Sequence, residues 1–306
     1  MSTIQSPTDK VLKKVTIPQL NAMRHRNETA VFVTAYDYPT AVFADRAGVD
    51  LLLVGDSVAM TLLGQANTLG VGMDEMLVFA RAVARGARRA FVVGDLPYMS
   101  YQVSDGDAVR NAAAFIKVGC DAVKCEGGAR IVSRVRAMTD AGIPVMGHLG
   151  LTPQSLSQQG GYRVQGKTLA AAQRIGDDAL VLQDAGAFSV VLEAMPSEAA
   201  AFIRHRLQVP VYGIGAGPFV DGQLVISHDI LGNFVGEVMP KFVKRYANLD
   251  KDIELAFKSY AHEVRAGQFP AAEHCYEIPE EEAAALREAR EATARGGGTG
   301  TSSCAT

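Results

Sequence analysis

No stretch of the 306-residue chain reaches the roughly 20 consecutive apolar residues that a membrane span requires, although 48% of its residues are hydrophobic. The opening MSTIQSPTDKVLKK also lacks the apolar core of a secretion signal. Charge of one sign is equally scarce. Thirty Lys and Arg against 33 Asp and Glu give a formal charge of −3, which excludes wholesale attraction to nucleic acid or to an anionic membrane. The four cysteines, Cys120, Cys125, Cys275 and Cys304, follow neither metal-ligand nor disulfide spacing. Zinc-ribbon and disulfide-scaffold classes therefore drop out, and a reduced, cytoplasmic setting is expected. Cys120 and Cys125 sit in apolar surroundings and read as small core residues. What remains is a soluble globular chain with ample material for a large core.

Strand-like and helix-like stretches alternate between residues 31 and 230. The strand candidates are 31–36, 50–57, 90–96, 121–127, 144–150, 188–194 and 209–217, with a weaker eighth at 224–229. All are near-continuous apolar runs, as expected for strands covered on both faces. Amphipathic segments such as 73–87, 104–119 and 196–207 lie between them, and the first two end close to glycines. Eight strand–helix units predict an α/β fold, a (β/α)8 TIM barrel with additional C-terminal helices, whose chemistry sits at the C-terminal ends of the strands. An open doubly wound sheet is the alternative, but the dinucleotide fingerprint expected after its first strand is missing. The barrel rhythm stops after residue 230. Residues 240–267 read as two helices, 277–295 as a charged helix with little to bury, and the tail GGGTGTSSCAT as disordered. The expected organisation is an extension over 1–15, a catalytic barrel with C-terminal helices over 16–275, and a charged helix and tail over 276–306.

Four of the apolar runs end by delivering a carboxylate: Asp56, Asp95, Glu126 and Glu193. An unpaired buried charge is costly, so four such ends point to a shared site where a cation neutralises converging carboxylates. The competing explanation is helix N-capping, common for Asp at a strand-to-helix junction. An all-oxygen site selects a hard ion such as Mg²⁺ over zinc. An α-keto acid chelated there would lose the proton beside its carbonyl more readily. Pro97 stops the third run just after Asp95 and fixes the loop direction. Lys124 lies two residues before Glu126, so both point to one face. An inward lysine needs an acid or an anionic substrate, and a lysine snorkelling to solvent is the alternative. His148 is either a hydrogen-bond donor to substrate or a structural histidine. Glu193, in a run without a lysine, is the candidate general base. The glycines of GIGAG (213–217) either meet a phosphate or allow close backbone approach.

These motifs together resemble the ketopantoate hydroxymethyltransferase family. The resemblance runs through TIPQL (16–20), TAYDYPTA (34–41), LLVGDS (52–57), GDLPYMSY (94–101), VKCEGG (123–128) and GHLGLTPQS (147–155). It continues through GGYRVQGK (160–167), VLEAMP (191–196), GIGAG (213–217), DGQLVISHDILG (221–232) and PKFVKRY (240–246). It implies a magnesium-dependent barrel in a large homo-oligomer, with Asp56 and Asp95 binding Mg²⁺ and Glu126 in or near the ion's shell. It further implies that Ser57, Asp95 and Lys124 hold the keto acid and that Glu193 accepts the proton; Asp56 and His148 are expected to touch the substrate as well. The implied reaction moves a hydroxymethyl group from 5,10-methylenetetrahydrofolate to 3-methyl-2-oxobutanoate, giving 2-dehydropantoate for pantothenate biosynthesis. Two segments depart from the family pattern: Gly70 and Gly72 stand where a proline and a threonine are expected, and Val78-Phe79-Ala80 where Tyr-His-Thr is common. The departures motivate an alternative, a related metal-dependent aldol-type enzyme acting on another keto acid or carbon donor.

Overall fold

A computed structural model describes residues 13–236 and 239–296. The sequence-based assignments for residues 1–12 and for the tail from 297 lie outside the described residues. Eight strands form a closed parallel barrel in sequence order. They are β1 (Ala30–Thr34), β2 (Leu51–Val54), β3 (Phe91–Asp95), β4 (Ala122–Glu126), β5 (Val145–Gly150), β6 (Ser189–Glu193), β7 (Val211–Ile214) and β8 (Gly222–Val225). β8 pairs back onto β1 through Ala30 to Val33. The helices are α1 (Ile17–His25), α2 (Tyr38–Arg46), α3 (Met73–Gly86), α4 (Asp105–Val118), α5 (Val132–Asp140), α6 (Leu169–Asp184) and α7 (Ser197–Arg206). Two more, α8 (Leu249–Arg265) and α9 (Glu280–Gly296), follow the barrel in sequence.

Period-two alternation along each strand sorts the side chains into two cores. Phe32, Leu51, Leu53, Val93, Met146, Val191 and Tyr212 fill the barrel interior, and Val15 and Leu20 before and on α1 join them. Their sequence neighbours Val33, Leu52, Val54, Val92, Val123, Val190 and Leu192 pack outward against helix residues such as Val83, Phe115, Val135 and Leu182. Cys120 and Cys125 are buried and unpaired in this outer layer, as their apolar surroundings suggested. On α3, Met76, Ala80 and Val83 recur at helical spacing and are buried. Ser104 caps α4 by accepting the Asp107 N–H, and Gly119 ends it in the left-handed region at φ 109°.

The N-terminal ends of the strands are tied by carboxylates that serve stability. Asp50, Asp121 and Asp221 accept the backbone N–H groups of Val31, Val92 and Val211. Asp221 also pairs with Arg24 at 2.9 Å and Arg204 at 2.6 Å, and its side chain is only 3% exposed. Asp221→Ala strands two guanidinium groups and one strand N–H together. We expect it to lower unfolding free energy by about 3 kcal/mol, read as a shift in urea midpoint.

The described structure corrects two expectations. Only 249–265 of the 240–267 segment is helical. Tyr246 and Ala247 instead donate their N–H groups to the Ile230 carbonyl, and the Phe242 ring packs so near Gly215 that a Cβ there would lie 2.5 Å from it. External contacts replace the helix's own hydrogen bonds. The eighth strand lies earlier, at 222–225, and Ser227–Leu231 forms a single helical turn. The charged helix near the C-terminus is present as α9, largely exposed. The chain divides into two compact units, Met1–Asp250 and Lys251–Thr306. No helix among the described residues is long and apolar enough to cross a membrane.

Candidate active site

The alternation that fills the barrel interior decides which polar groups enter it. Val93 points in, so Asp95 does; Ala122 points in, so Lys124 and Glu126 do; Met146 and Val191 set the same phase for His148 and Glu193. Strand register then sets their height. Asp95 lies opposite Lys124, Glu126 opposite His148, and Gly150 opposite Glu193. Asp56, two residues beyond β2, donates its backbone N–H to Asp95 Oδ2 at 3.0 Å. None of the four carboxylates accepts an N–H from the helix following its own strand, so capping does not explain them.

The groups form one continuous cluster. Lys124 Nζ lies 2.8 Å from Asp95 Oδ1, 3.7 Å from Glu126 Oε1 and 3.1 Å from His148 Nδ1. His148 Nδ1 is 3.3 Å from Glu126 Oε1, and its Nε2 is 3.0 Å from Glu193 Oε2. Asp95 Oδ1, Glu126 Oε1 and His148 Nε2 are buried without an aligned hydrogen bond, so these are ion-pair separations in which the two carboxylate oxygens keep acceptor capacity to spare. Asp56, Asp95, Lys124, Glu126 and His148 are all buried. Glu193, with 16% of its side chain exposed, faces the opening. The Ser57 Oγ lies 2.8 Å from the Tyr36 hydroxyl.

Local backbone chemistry aims Glu193. Ala194, directly after it, adopts φ 47°, a left-handed conformation that costs a non-glycine residue roughly 1–2 kcal/mol. Opposite, Gly150 is required: at φ 90°, a Cβ there would lie 2.3 Å from the Glu193 carbonyl.

Three buried carboxylates face one buried ammonium. Burial, with Asp95 and Glu126 beside it, holds the Asp56 carboxyl well above the usual range. Burial also raises Asp95, against the pull of Lys124. Burial works against ionisation of Glu126 too, yet His148 and Lys124 outweigh it and hold that carboxyl low. His148 is raised to about 9: burial and Lys124 oppose its charge, but Glu126 and Glu193 win. Lys124 is raised by Asp95, Glu126 and Asp56 despite complete burial. The surplus negative charge is what a divalent cation would neutralise, and the donors are all oxygen. Among the described residues no three His, Cys, Asp or Glu side chains form a ready metal cage. Mg²⁺ keeps several waters and needs only one or two carboxylates, so it requires no such cage. Asp56 and Asp95 could supply those carboxylates, and Glu126, engaged by His148 and by the Gln154 N–H at 2.9 Å, stands beside them.

Six of the seven residues singled out from the sequence meet in this one site, and Ser57 follows Asp56 directly in the chain with its hydroxyl on Tyr36. Two further ones do not announce themselves there. Gln154 donates through Nε2 to Asp56 Oδ2 at 3.0 Å and to the Leu96 carbonyl at 2.9 Å, linking the Asp56 and Glu126 carboxylates. The Tyr101 hydroxyl accepts the Glu126 N–H at 2.9 Å and lies 2.9 Å from Gln154 Oε1. The only sequence signal for Gln154 is its place in GHLGLTPQS, since a neutral amide after proline reads as a loop residue. The glycines of GIGAG allow close approach: besides Gly215 under Phe242, a Cβ on Gly217 would meet Ser197 Oγ at 2.1 Å. In the departing loop, Val71 is buried and Gly72 caps α3, donating to Glu75 Oε2 at 2.8 Å.

A model of the ketopantoate hydroxymethyltransferase family matches residues 14–272. The 3-methyl-2-oxobutanoate hydroxymethyltransferase of Alkaliphilus metalliredigens is 53% identical over 267 residues, covering 87% of this chain and 94% of that protein. The enzyme of the same name from Syntrophobacter fumaroxidans is 52% identical over 274 residues, covering 89% and 96%. Among solved structures, phosphonopyruvate hydrolase in complex with oxalate and Mg²⁺ superposes with a TM-score of 0.56 at 14% identity, covering 90% of this chain and 99% of that one. A 2,3-dimethylmalate lyase of the PEP mutase/isocitrate lyase superfamily gives 0.55 at 18% identity, covering 92% and 98%. These structural likenesses concern the fold.

Proposed function

The chain belongs to the ketopantoate hydroxymethyltransferase family, and from that premise we propose that it transfers a hydroxymethyl group from 5,10-methylenetetrahydrofolate to 3-methyl-2-oxobutanoate. The product is 2-dehydropantoate, on the way to pantothenate. The observation that carries this reading is a buried carboxylate cluster with surplus negative charge, in contact through His148 with the more open Glu193.

Asp56 and Asp95 would hold Mg²⁺, with Glu126 beside them. The bound ion would supply electron withdrawal from the ketone oxygen of the keto acid, acidifying the C3–H. The remaining work belongs to the chain. Lys124 balances Asp95 and offers an N–H to the anionic substrate. Ser57, aligned by Tyr36, offers a hydroxyl to the same keto acid. His148 fixes the Glu193 carboxylate from the side. Glu193 takes the C3 proton. Water adds to the folate's methylene carbon as both of its C–N bonds break, releasing tetrahydrofolate and formaldehyde. The electron pair left at C3 adds to the formaldehyde carbon while the resulting alkoxide takes a proton from Glu193. Water supplies the oxygen of the new hydroxymethyl group. Burial of the inner cluster strengthens every one of these contacts.

On this reading residues 16–275 constitute the catalytic domain. A cytoplasmic setting agrees with the free thiols of Cys120, Cys125 and Cys275. Assembly as a homo-oligomer agrees with α8, whose Ile253, Phe257, Tyr260 and Val264 lie at helical spacing and are all exposed. Purified protein supplied with keto acid, 5,10-methylenetetrahydrofolate and Mg²⁺ is expected to form 2-dehydropantoate, detected by mass spectrometry. Absence of that product with all three present contradicts the proposal.

A further inference from the structure

A cavity of about 370 Å³ opens beside the charged cluster, and Glu126 and Gln154 form the wall it shares with the reaction centre. Tyr98 and Met99 line its side, exposed by 43% and 50%. Met99 is held at φ 65°, an outlier for a non-glycine residue of the kind that persists where surrounding structure enforces it. Arg130 and Arg134 also line it. Arg134 is paired with Asp105. Arg130 is not so neutralised. Its Nη1 donates to Gln158 Oε1 at 3.0 Å and its Nη2 to Ser155 Oγ at 2.6 Å, both uncharged acceptors. Among the described residues no carboxylate forms an ion pair with it.

The cavity therefore borders Glu126 and Gln154 of the reacting cluster, carries aromatic and apolar side chains, and offers a planar cation whose charge is unspent. We propose that it seats the carbon donor, with the p-aminobenzoyl ring along Tyr98 and Met99 and the glutamate carboxylate on Arg130. This rests on the folate reading above. An arginine fork matches a carboxylate in two parallel hydrogen bonds, which the amide and hydroxyl now holding it do not replace in charge. The keto acid's own carboxylate is accounted for by Lys124 and Ser57, so Arg130 is left for the second substrate. The volume lies in the range usual for small-molecule sites.

Calorimetric titration of the full chain with p-aminobenzoylglutamate, the donor's ring and tail without its reactive carbon, tests the assignment. Arg130→Gln is expected to raise its Kd about tenfold; Arg130→Lys, keeping charge but losing the fork, less. Arg110→Gln, an exposed arginine outside the cavity, is expected to leave the Kd unchanged. The Kd of p-aminobenzamide, which lacks the tail, should be the same in wild type and Arg130→Gln. In turnover, the KM for 5,10-methylenetetrahydrofolate should rise with the fragment Kd while the KM for the keto acid stays within about twofold. No measurable p-aminobenzoylglutamate binding to wild type, unchanged affinity in Arg130→Gln, or equal loss for both probes overturns the seat. Failure of the folate reading shows elsewhere, as a wild-type chain that binds the fragment yet makes no 2-dehydropantoate.

Discussion

Glu193→Gln is expected to slow the exchange of the C3 proton of 3-methyl-2-oxobutanoate with deuterated solvent by about 10²–10⁴-fold, followed by proton NMR. The substitution keeps the side chain's length and its capacity to hydrogen-bond His148 Nε2, 3.0 Å away, and removes its basicity. Glu193 is the base because of the contrast in setting. The three inner carboxylates are engaged by Lys124, Gln154 and a backbone N–H, whereas among the described residues the one ion pair of Glu193 is with His148, and its side chain is 16% exposed. The same variant should bind keto acid with little change, since the groups assigned to hold it are untouched. A fall smaller than about tenfold would move the base to another group.

Lys124→Met is expected to cost about 3–5 kcal/mol of stability in metal-free protein at pH 8, measured by urea unfolding. The ammonium is the one permanent cation against Asp56, Asp95 and Glu126, and all four are buried. Without it the carboxylates can lower their energy only by taking up protons. Asp56 already favours the protonated form because of burial and its acidic neighbours. A carboxyl whose folded pKa is raised lends stability below its unfolded pKa, near 4, and loses it as pH climbs through the folded value. The deficit of Lys124→Met should therefore shrink on acidification toward pH 5. Mg²⁺ should also reduce it by supplying positive charge. A deficit that is flat with pH and indifferent to Mg²⁺ would make Lys124 a packing residue only.

The barrel was legible because parallel strands covered on both faces are nearly all apolar, so runs such as LLLV at 51–54 stand out. The site was legible for the same reason: a carboxylate interrupting such a run is conspicuous, and period-two phasing carries Lys124 and Glu126 inward together. Gln154 was not, because its importance comes from three loops meeting at Asp56, Leu96 and Glu126. An uncharged side chain in a polar loop carries no trace of that encounter. Arg130 was hidden likewise, since a surface-helix pattern does not say which cations lack an acid. The 240–248 segment misled for the opposite reason, because its aromatic spacing suits a helix while its hydrogen bonds go to Ile230.

The most direct measurement is C3 deuterium exchange of 3-methyl-2-oxobutanoate by the wild-type chain, with Mg²⁺ and after exhaustive chelation, in the absence of any folate. Rapid exchange with the ion, abolished by chelator and restored on adding Mg²⁺ back, is the predicted result. Exchange that continues at full rate in the chelator would contradict a cation at Asp56 and Asp95 as the source of the acidity.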